Sequence, residues 1–199
     1  GVHFFDLFGW LSGAAAQAVS AFARTRGDGC QDRVWAVVGY AGDLVATFHH
    51  AFTQPARIEQ TTIRLVCGRG YVNLRGWIQT RLELEALVDE EGPQAIRAWA
   101  ECEPEIIERY SRAAAEGWSF GAPYNVAARL RLALDLPEGK SAVYRASIRE
   151  ALLDLIRSVE EPQHTLEITP EAARRSLAVA LAAVQAAETG MRVPIGAPV

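Results

Sequence analysis

A chain of 199 residues, 50% hydrophobic and 22% charged, carries enough apolar material for one well-buried domain and is short for two, so a single domain over residues 1–199 is expected. Its formal net charge of -4 supplies no basic footprint, which argues against nucleic acid as a partner. No apolar run approaches the roughly 20 residues that span a bilayer, and the first residues lack the cationic segment of a signal peptide, so no membrane partner and a cytoplasmic location are expected.

Gly1 to Gly13 reads as a helix whose apolar stripe is Phe4, Leu7, Phe8 and Leu11, with Ser12 and Gly13 as its stop. His3 and Asp6 stand three apart, on neighbouring parts of one helix face, where an imidazole can look into a cleft. Gln17 to Arg26 reads as a strand with Val19, Ala21 and Ala23 on one side, closed by a tight turn at Gly27 to Gly29. Arg33 to Tyr40 and Leu44 to Thr53 follow as a hairpin around Ala41, Gly42 and Asp43. Both carry apolar residues on both faces: Val34, Ala36 and Val38 back Trp35 and Val37, so strands covered on both sides are expected.

Ile58 to Cys67 and Tyr71 to Leu74 read as strands around Gly68, Arg69 and Gly70. Ile78 to Asp89 alternates, with Leu82, Leu84, Ala86 and Val88 on one face and Arg81, Glu83 and Glu85 on the other, solvated one. Pro93 and Pro104 mark two short helices, the second running through Ile106, Ile107 and Tyr110. Within Asn125 to Leu136, Leu130, Leu132, Leu134 and Leu136 alternate with Arg129, Arg131, Ala133 and Asp135, which favours a strand. Ser141 to Val159 reads as a helix with Ile148, Leu152, Leu155, Ile156 and Val159 inward. The last helix has Thr169 as N-cap, Pro170 at its first position, Glu171 at the positive end and Gly190 after its final turn, with Leu177, Leu181 and Val184 facing the core. The fold class is therefore α+β: an open-faced, mostly antiparallel sheet of about six or more strands with helices on one face.

Cys30, Cys67 and Cys102 are scattered and lack metal spacing, so buried reduced thiols are expected and no metal site is assigned. His49 and His50 are neighbours on a strand and point to opposite faces; His164 reads as solvent-exposed in a Pro-containing connection. Lys140 and Tyr144, four apart on a helix, are an exposed pair that can also contact a substrate, and Trp35, Phe48, Phe52 and Trp77 read as core. No G-x-G-x-x-G or P-loop occurs, so the chain has no site of its own for dinucleotide phosphates.

The pattern G-x-H-x-x-D-L-x-x-W-L-x-G from Gly1 to Gly13 resembles the C-terminal domain of the Gfo/Idh/MocA oxidoreductases, NAD(P)-dependent enzymes acting mostly on sugars, polyols and related compounds. CGRGYVNLRGW from Cys67 to Trp77, KSAVY from Lys140 to Tyr144 and TPEAARRSLAVALAA from Thr169 to Ala183 resemble the turn, strand and closing helices of the same family. In that family the histidine closes a D-x-x-x-H pair, whose aspartate would stand four residues before His3. The resemblance therefore implies a fragment that starts inside the helix carrying the active-site residues, with the N-terminal Rossmann domain absent from this chain.

What the resemblance implies for chemistry is a substrate-facing and oligomerisation domain. His3 would be the catalytic residue, sharing the hydroxyl proton with a lysine of the missing domain during hydride transfer to NAD or NADP. Asp6 would orient or cap, and the cofactor would belong to the full-length protein, with none bound by this chain alone. The implied partners are a small-molecule substrate shared with the Rossmann domain and a homodimer or higher homo-oligomer through the sheet face, rimmed by Arg81, Glu83 and Glu85. The alternative, from another class, is a non-catalytic relative or stand-alone interaction module with the same sheet.

Overall fold

The computed structural model describes residues 1–55, 57–58, 60–111, 116–119 and 121–196. In chain order these form α1 (Val2–Ser12), β1 (Ala16–Thr25), β2 (Gln31–Tyr40), β3 (Val45–Ala51), β4 (Thr62–Cys67), β5 (Gly70–Arg75), β6 (Arg81–Val88), α2 (Gly92–Ala100), β7 (Glu105–Arg109), β8 (Glu116–Ser119), β9 (Ala122–Asn125), β10 (Ala128–Asp135), α3 (Gly139–Glu160), α4 (Pro170–Thr189) and β11 (Val193–Pro194). The class is α+β, and every strand pairing is antiparallel. The strands are distributed over sheets of four, five and two. Two compact units result: Gly1–Pro55 with Asp154–Val199, and Ala56–Leu153.

The first unit is built on the sheet β11-β1-β2-β3. Asp28 closes its first hairpin by accepting from the Cys30 amide at 3.0 Å and from the Arg26 guanidinium at 2.9 Å. Register places Val19 opposite Val38 and Ala21 opposite Ala36, which stands opposite Phe48 in turn. These residues form one buried face with Phe5, Tyr40 and Ala46. Helix α4 lies against β1, starting where Thr169 Oγ1 accepts from the Ala172 amide at 3.2 Å and ending at left-handed Gly190, φ 69°. Both of its caps and its first-turn proline are those the sequence predicts.

Its buried face is another matter. Ser176, Val179, Ala182, Ala183 and Ala186 are buried, whereas Leu177, Leu181 and Val184 are exposed. Small side chains let the helix axis approach the strands, and the bulky ones, about 100° round the helix, are left outside. Helix α1 shows a smaller displacement of the same kind: Phe5 is buried and Phe8 packs on the core, while Phe4 is half-buried and Leu11 exposed. The other face of this sheet carries Phe22, Trp35, Val37 and Val45 exposed, so the strands are covered on one side, not two, within this chain.

The second unit holds the sheet β4-β5-β6-β10-β7. Leu130 and Leu132 on β10 are buried as their alternation predicts, opposite Ala86 and Leu84. Beside Leu130 lie Ala128, Val88, Leu84, Ala86, Ile96 and Ile106. Two corrections arise here. The stretch after Pro104 is a strand rather than a helix, because β10 offers an edge to which Ile106 and its neighbours pair, and β-branched isoleucines suit that pleat. Ile78 belongs to a turn preceding β6, and of residues 58–67 only Thr62–Cys67 is strand, Glu59 lying outside the described residues.

Arg81, Glu83 and Glu85 stand in this second sheet, whereas Trp35 stands in the first. They are paired with one another and with neighbouring strands: Arg75 and Arg81 with Glu83 at 2.8 and 3.0 Å, Arg81 with Asp135 at 2.9 Å, and Arg129 with Glu85. Hydrogen bonds from Arg75 and Arg81 hold the Glu83 carboxyl below its ordinary range, and one from Arg129 does so for Glu85. Helix α3 has no buried residue; Ile148, Leu152, Leu155, Ile156 and Val159, predicted inward, are all exposed.

Candidate functional site

His3 occupies the first turn of α1 and is exposed, while the rest of the helix is pinned from beneath. The Phe5 ring meets Phe48 edge-on at 4.5 Å and the Phe8 ring lies 4.9 Å from Tyr40. Asp6 adds a polar tie, accepting from the buried Ser176 hydroxyl of α4 at 2.6 Å. This bond joins α1, which carries His3, to α4. Left-handed Gly13, φ 63°, ends α1 with its amide donating to the Gly9 carbonyl at 2.9 Å.

A second imidazole lies under the same turn. His50 on β3 stands 5.4 Å from the Phe4 ring, 6.1 Å from Phe5 and 6.2 Å from Phe48. A Cβ on Gly1 would come within 3.1 Å of its Nδ1, so its ring edge borders the backbone two residues before His3. Burial lowers the His50 pKa, so the ring is held toward its neutral form. Adjacent His49 does point to the opposite face, stacking on Trp35 with centroids 5.0 Å apart and planes 5° off parallel. Sequence alternation separates the two histidines but carries no signal that β3 passes beneath α1.

The other polar candidates sort differently from expectation. His164 is not a free surface residue: its Nε2 lies 2.7 Å from Asp154 Oδ1, and Asp154 Oδ2 accepts from the Glu167 amide at 3.1 Å. The hydrogen bond to His164 holds the Asp154 carboxyl below its ordinary range. Cys30 and Cys67 are exposed and Cys102 half-buried, because the first two sit at hairpin ends rather than in a strand centre. Among the described residues no group of three His, Cys, Asp or Glu gathers to hold a metal ion. Of the aromatic residues predicted as core, Phe48 packs there, whereas Trp35, Phe52 and Trp77 are exposed. In the second unit Trp77 instead joins Lys140 and Tyr144 around a small cavity.

A dinucleotide needs a strand, a glycine-rich turn and a helix N-terminus in a βαβ crossover to cradle its phosphates. The residues here do not fit that group: all described pairings are antiparallel, and neither glycine doublet precedes a helix.

Known structures nevertheless share this arrangement. An NAD binding oxidoreductase from Klebsiella pneumoniae superimposes with a TM-score of 0.65 at 13% identity, over 100% of this chain and 50% of its own. The UDP-N-acetylglucosamine 3-dehydrogenase GnnA from Acidithiobacillus ferrooxidans does so at 0.62 and 17% identity, over 94% and 47%. The WlbA dehydrogenase from Bordetella pertussis, solved with NADH and UDP-GlcNAcA, gives 0.57 at 13% identity, over 99% and 44%. The fold is that of the C-terminal domain of Gfo/Idh/MocA-type oxidoreductases. At these identities the likeness is one of fold, and the chain spans about half the length of the structures it matches. No protein-family model and no curated protein matches the sequence. Among the described residues no helix is long and apolar enough to cross a membrane.

Proposed function

We propose that this chain is the substrate-facing and oligomerising domain of a cytoplasmic NAD(P)-dependent oxidoreductase that acts on a sugar, polyol or related secondary alcohol. The observation that carries this reading is the match of nearly the whole chain to one half of several oxidoreductases, one of them bound to NADH and a nucleotide sugar. The dinucleotide-binding half, and with it the cofactor, is supplied from outside these 199 residues.

Within that reading His3 is the residue that takes or returns the proton of the reacting hydroxyl. Its exposure on the first turn of an otherwise anchored helix supports the role, since a proton-transfer group must reach substrate from a fixed support. Asp6 serves by holding α1 against α4. Self-association uses the uncovered face of the first sheet, where Phe22, Trp35, Val37 and Val45 form an apolar surface of the kind monomers seldom leave in water.

The test is His3→Ala in the protein joined to its dinucleotide-binding half, with NAD(P)H absorbance followed across a panel of sugars and polyols. Turnover should fall by about 10² to 10⁴, the usual worth of a positioned acid or base. Unchanged kcat from about pH 6 to 9 would remove His3 from the chemistry and favour a non-catalytic binding module.

A further inference from the structure

Register lays three flat rings side by side across the first sheet. Phe22 on β1 stands opposite Trp35 on β2, and Trp35 stands opposite His49 on β3. The next row is Ser20, Val37 and Thr47, and beyond it Gly39 pairs with Val45. These positions lie on the face turned away from Val19, Ala36, Val38 and Ala46, which fill the core beneath. Phe22 and Val45 are 65% and 61% exposed, and Trp35, Val37 and His49 are exposed as well.

Of these residues only His49 can take up a proton. Its ring lies parallel to the Trp35 indole, with centroids 5.0 Å apart and planes 5° off. β3 ends this sheet, so the cross-strand neighbours of His49 come from β2: Trp35 opposite, Arg33 and Val37 on the diagonals. As a neutral ring His49 extends the apolar row, and as a cation it interrupts it. Histidine is the side chain that makes this change between about pH 8 and 5.

The charged side chains of the same face are arginines. Arg24 and Arg33 form the row beside the rings. At the other end, the Arg192 guanidinium lies 3.8 Å from where a Cβ on Gly39 would stand. No position of β1, β2 or β3 on this face is Asp or Glu. The carboxylates of these strands and their turns lie elsewhere. Asp32 is on the buried face and holds Arg33 at 3.0 Å, Asp28 in the β1–β2 turn holds Arg26 at 2.9 Å, and Asp43 stands in the β2–β3 turn.

We propose that self-association through this face is gated by His49: two copies join while both imidazoles are neutral and part when they are protonated. The gate rests on the self-association reading above, with a second copy as the occupant. In a two-fold contact the same patch meets itself, so one interface receives two His49 rings and the arginines of both faces. Whichever way the axis turns the copies, neither face brings a carboxylate to an added positive charge. In the separate chain a protonated His49 keeps water on its outer side and the attracting face of the indole on its inner side. Joining the copies removes that water, and a charge taken from water without a partner is costly. Burial and like charge both disfavour the protonated ring, so association is full where the rings are neutral and is lost as pH falls.

The experiment measures the dimer Kd of the 199-residue chain by sedimentation equilibrium, with circular dichroism at each pH to confirm the fold. From about pH 8 to about pH 5.5 the Kd should rise by about 10- to 100-fold, because two protons are linked to one dissociation. His49→Gln, which cannot titrate, should associate alike at both pH values. His49→Lys carries a fixed charge, and at about pH 8 it should associate about tenfold more weakly than His49→Gln, which tests the charge without acid. A parent that is monomeric at about pH 8 refutes the association itself, and the gate with it. A parent that associates equally at both pH values overturns the gate and leaves the association standing. So does a His49→Gln variant with the parent's pH dependence, or one no tighter at high pH than His49→Lys.

Discussion

The contact between Asp6 and Ser176 can be taken apart with a double-mutant cycle, because the serine hydroxyl faces two acceptors and owns one proton. Asp6 Oδ1 lies 2.6 Å from Ser176 Oγ and the Ala172 carbonyl oxygen lies 2.8 Å away. An ionised carboxylate and a carbonyl both only accept, so they compete, and the charge-assisted bond to Asp6 takes the proton. Hydrogen bonds to charged groups contribute about 1.5 to 3 kcal/mol net, and neutral ones about 0.5 to 1.5. In Asp6→Ala the hydroxyl falls back on Ala172 and is not orphaned, so the expected loss is only the difference, about 1 kcal/mol. Ser176→Ala removes the donor and leaves the half-buried carboxylate one partner short, at a cost of about 2 kcal/mol. The double variant should then cost about 1 kcal/mol less than the sum of the singles. Urea denaturation of the four proteins, read as shifts in midpoint at constant slope, measures this directly. A coupling below about 0.3 kcal/mol, the scatter of independent sites, would refute the idea that Asp6 anchors α1 to α4.

Other consequences are testable in the same preparations. The Tyr40 hydroxyl is buried without a hydrogen-bond partner among the described residues, and burial pushes its pKa up to about 12, so Tyr40→Phe should raise stability by about 1 kcal/mol; a loss of that size by urea denaturation would mean the hydroxyl is bonded. The chain should scatter light as a multiple of 21.7 kDa at tens of micromolar, and Trp35→Glu on the open sheet face should reduce it to the monomer mass, while a monomeric parent would refute the association. Asp154 has a folded pKa below its ordinary 3.8, so its contribution is present above that value and is lost as pH falls through the depressed one. Thermal melts of the parent below pH 3.8 should therefore drop more steeply than those of His164→Ala, and identical slopes would show that the pair adds no linkage.

What the sequence by itself determines here is local. Thr169, Pro170 and Gly190 bound α4 because a cap, a first-turn proline and a left-handed glycine act within a few residues of themselves. The alternation from Leu130 to Leu134 marks a strand with one buried face for the same reason, since period two is a property of the backbone. His3 and Asp6 are legible as a helical pair, and the paired turns around Gly29 and Asp43 as hairpins.

Only the tertiary structure decides which face of an element is covered. A helix bearing leucines on one side and mostly alanines on the other can bury either; α4 buries Val179, Ala182, Ala183 and Ala186, whose small side chains let it pack closely on its neighbours. Glu105–Arg109 becomes a strand because β10 has an edge to pair, an opportunity no window around Pro104 contains. His50 comes to lie under α1, and Lys140 beside Trp77, because elements distant in sequence pack together. Periodicity and caps are written into neighbouring residues, whereas burial and juxtaposition belong to pairs of elements, and it is those pairs that build the candidate site.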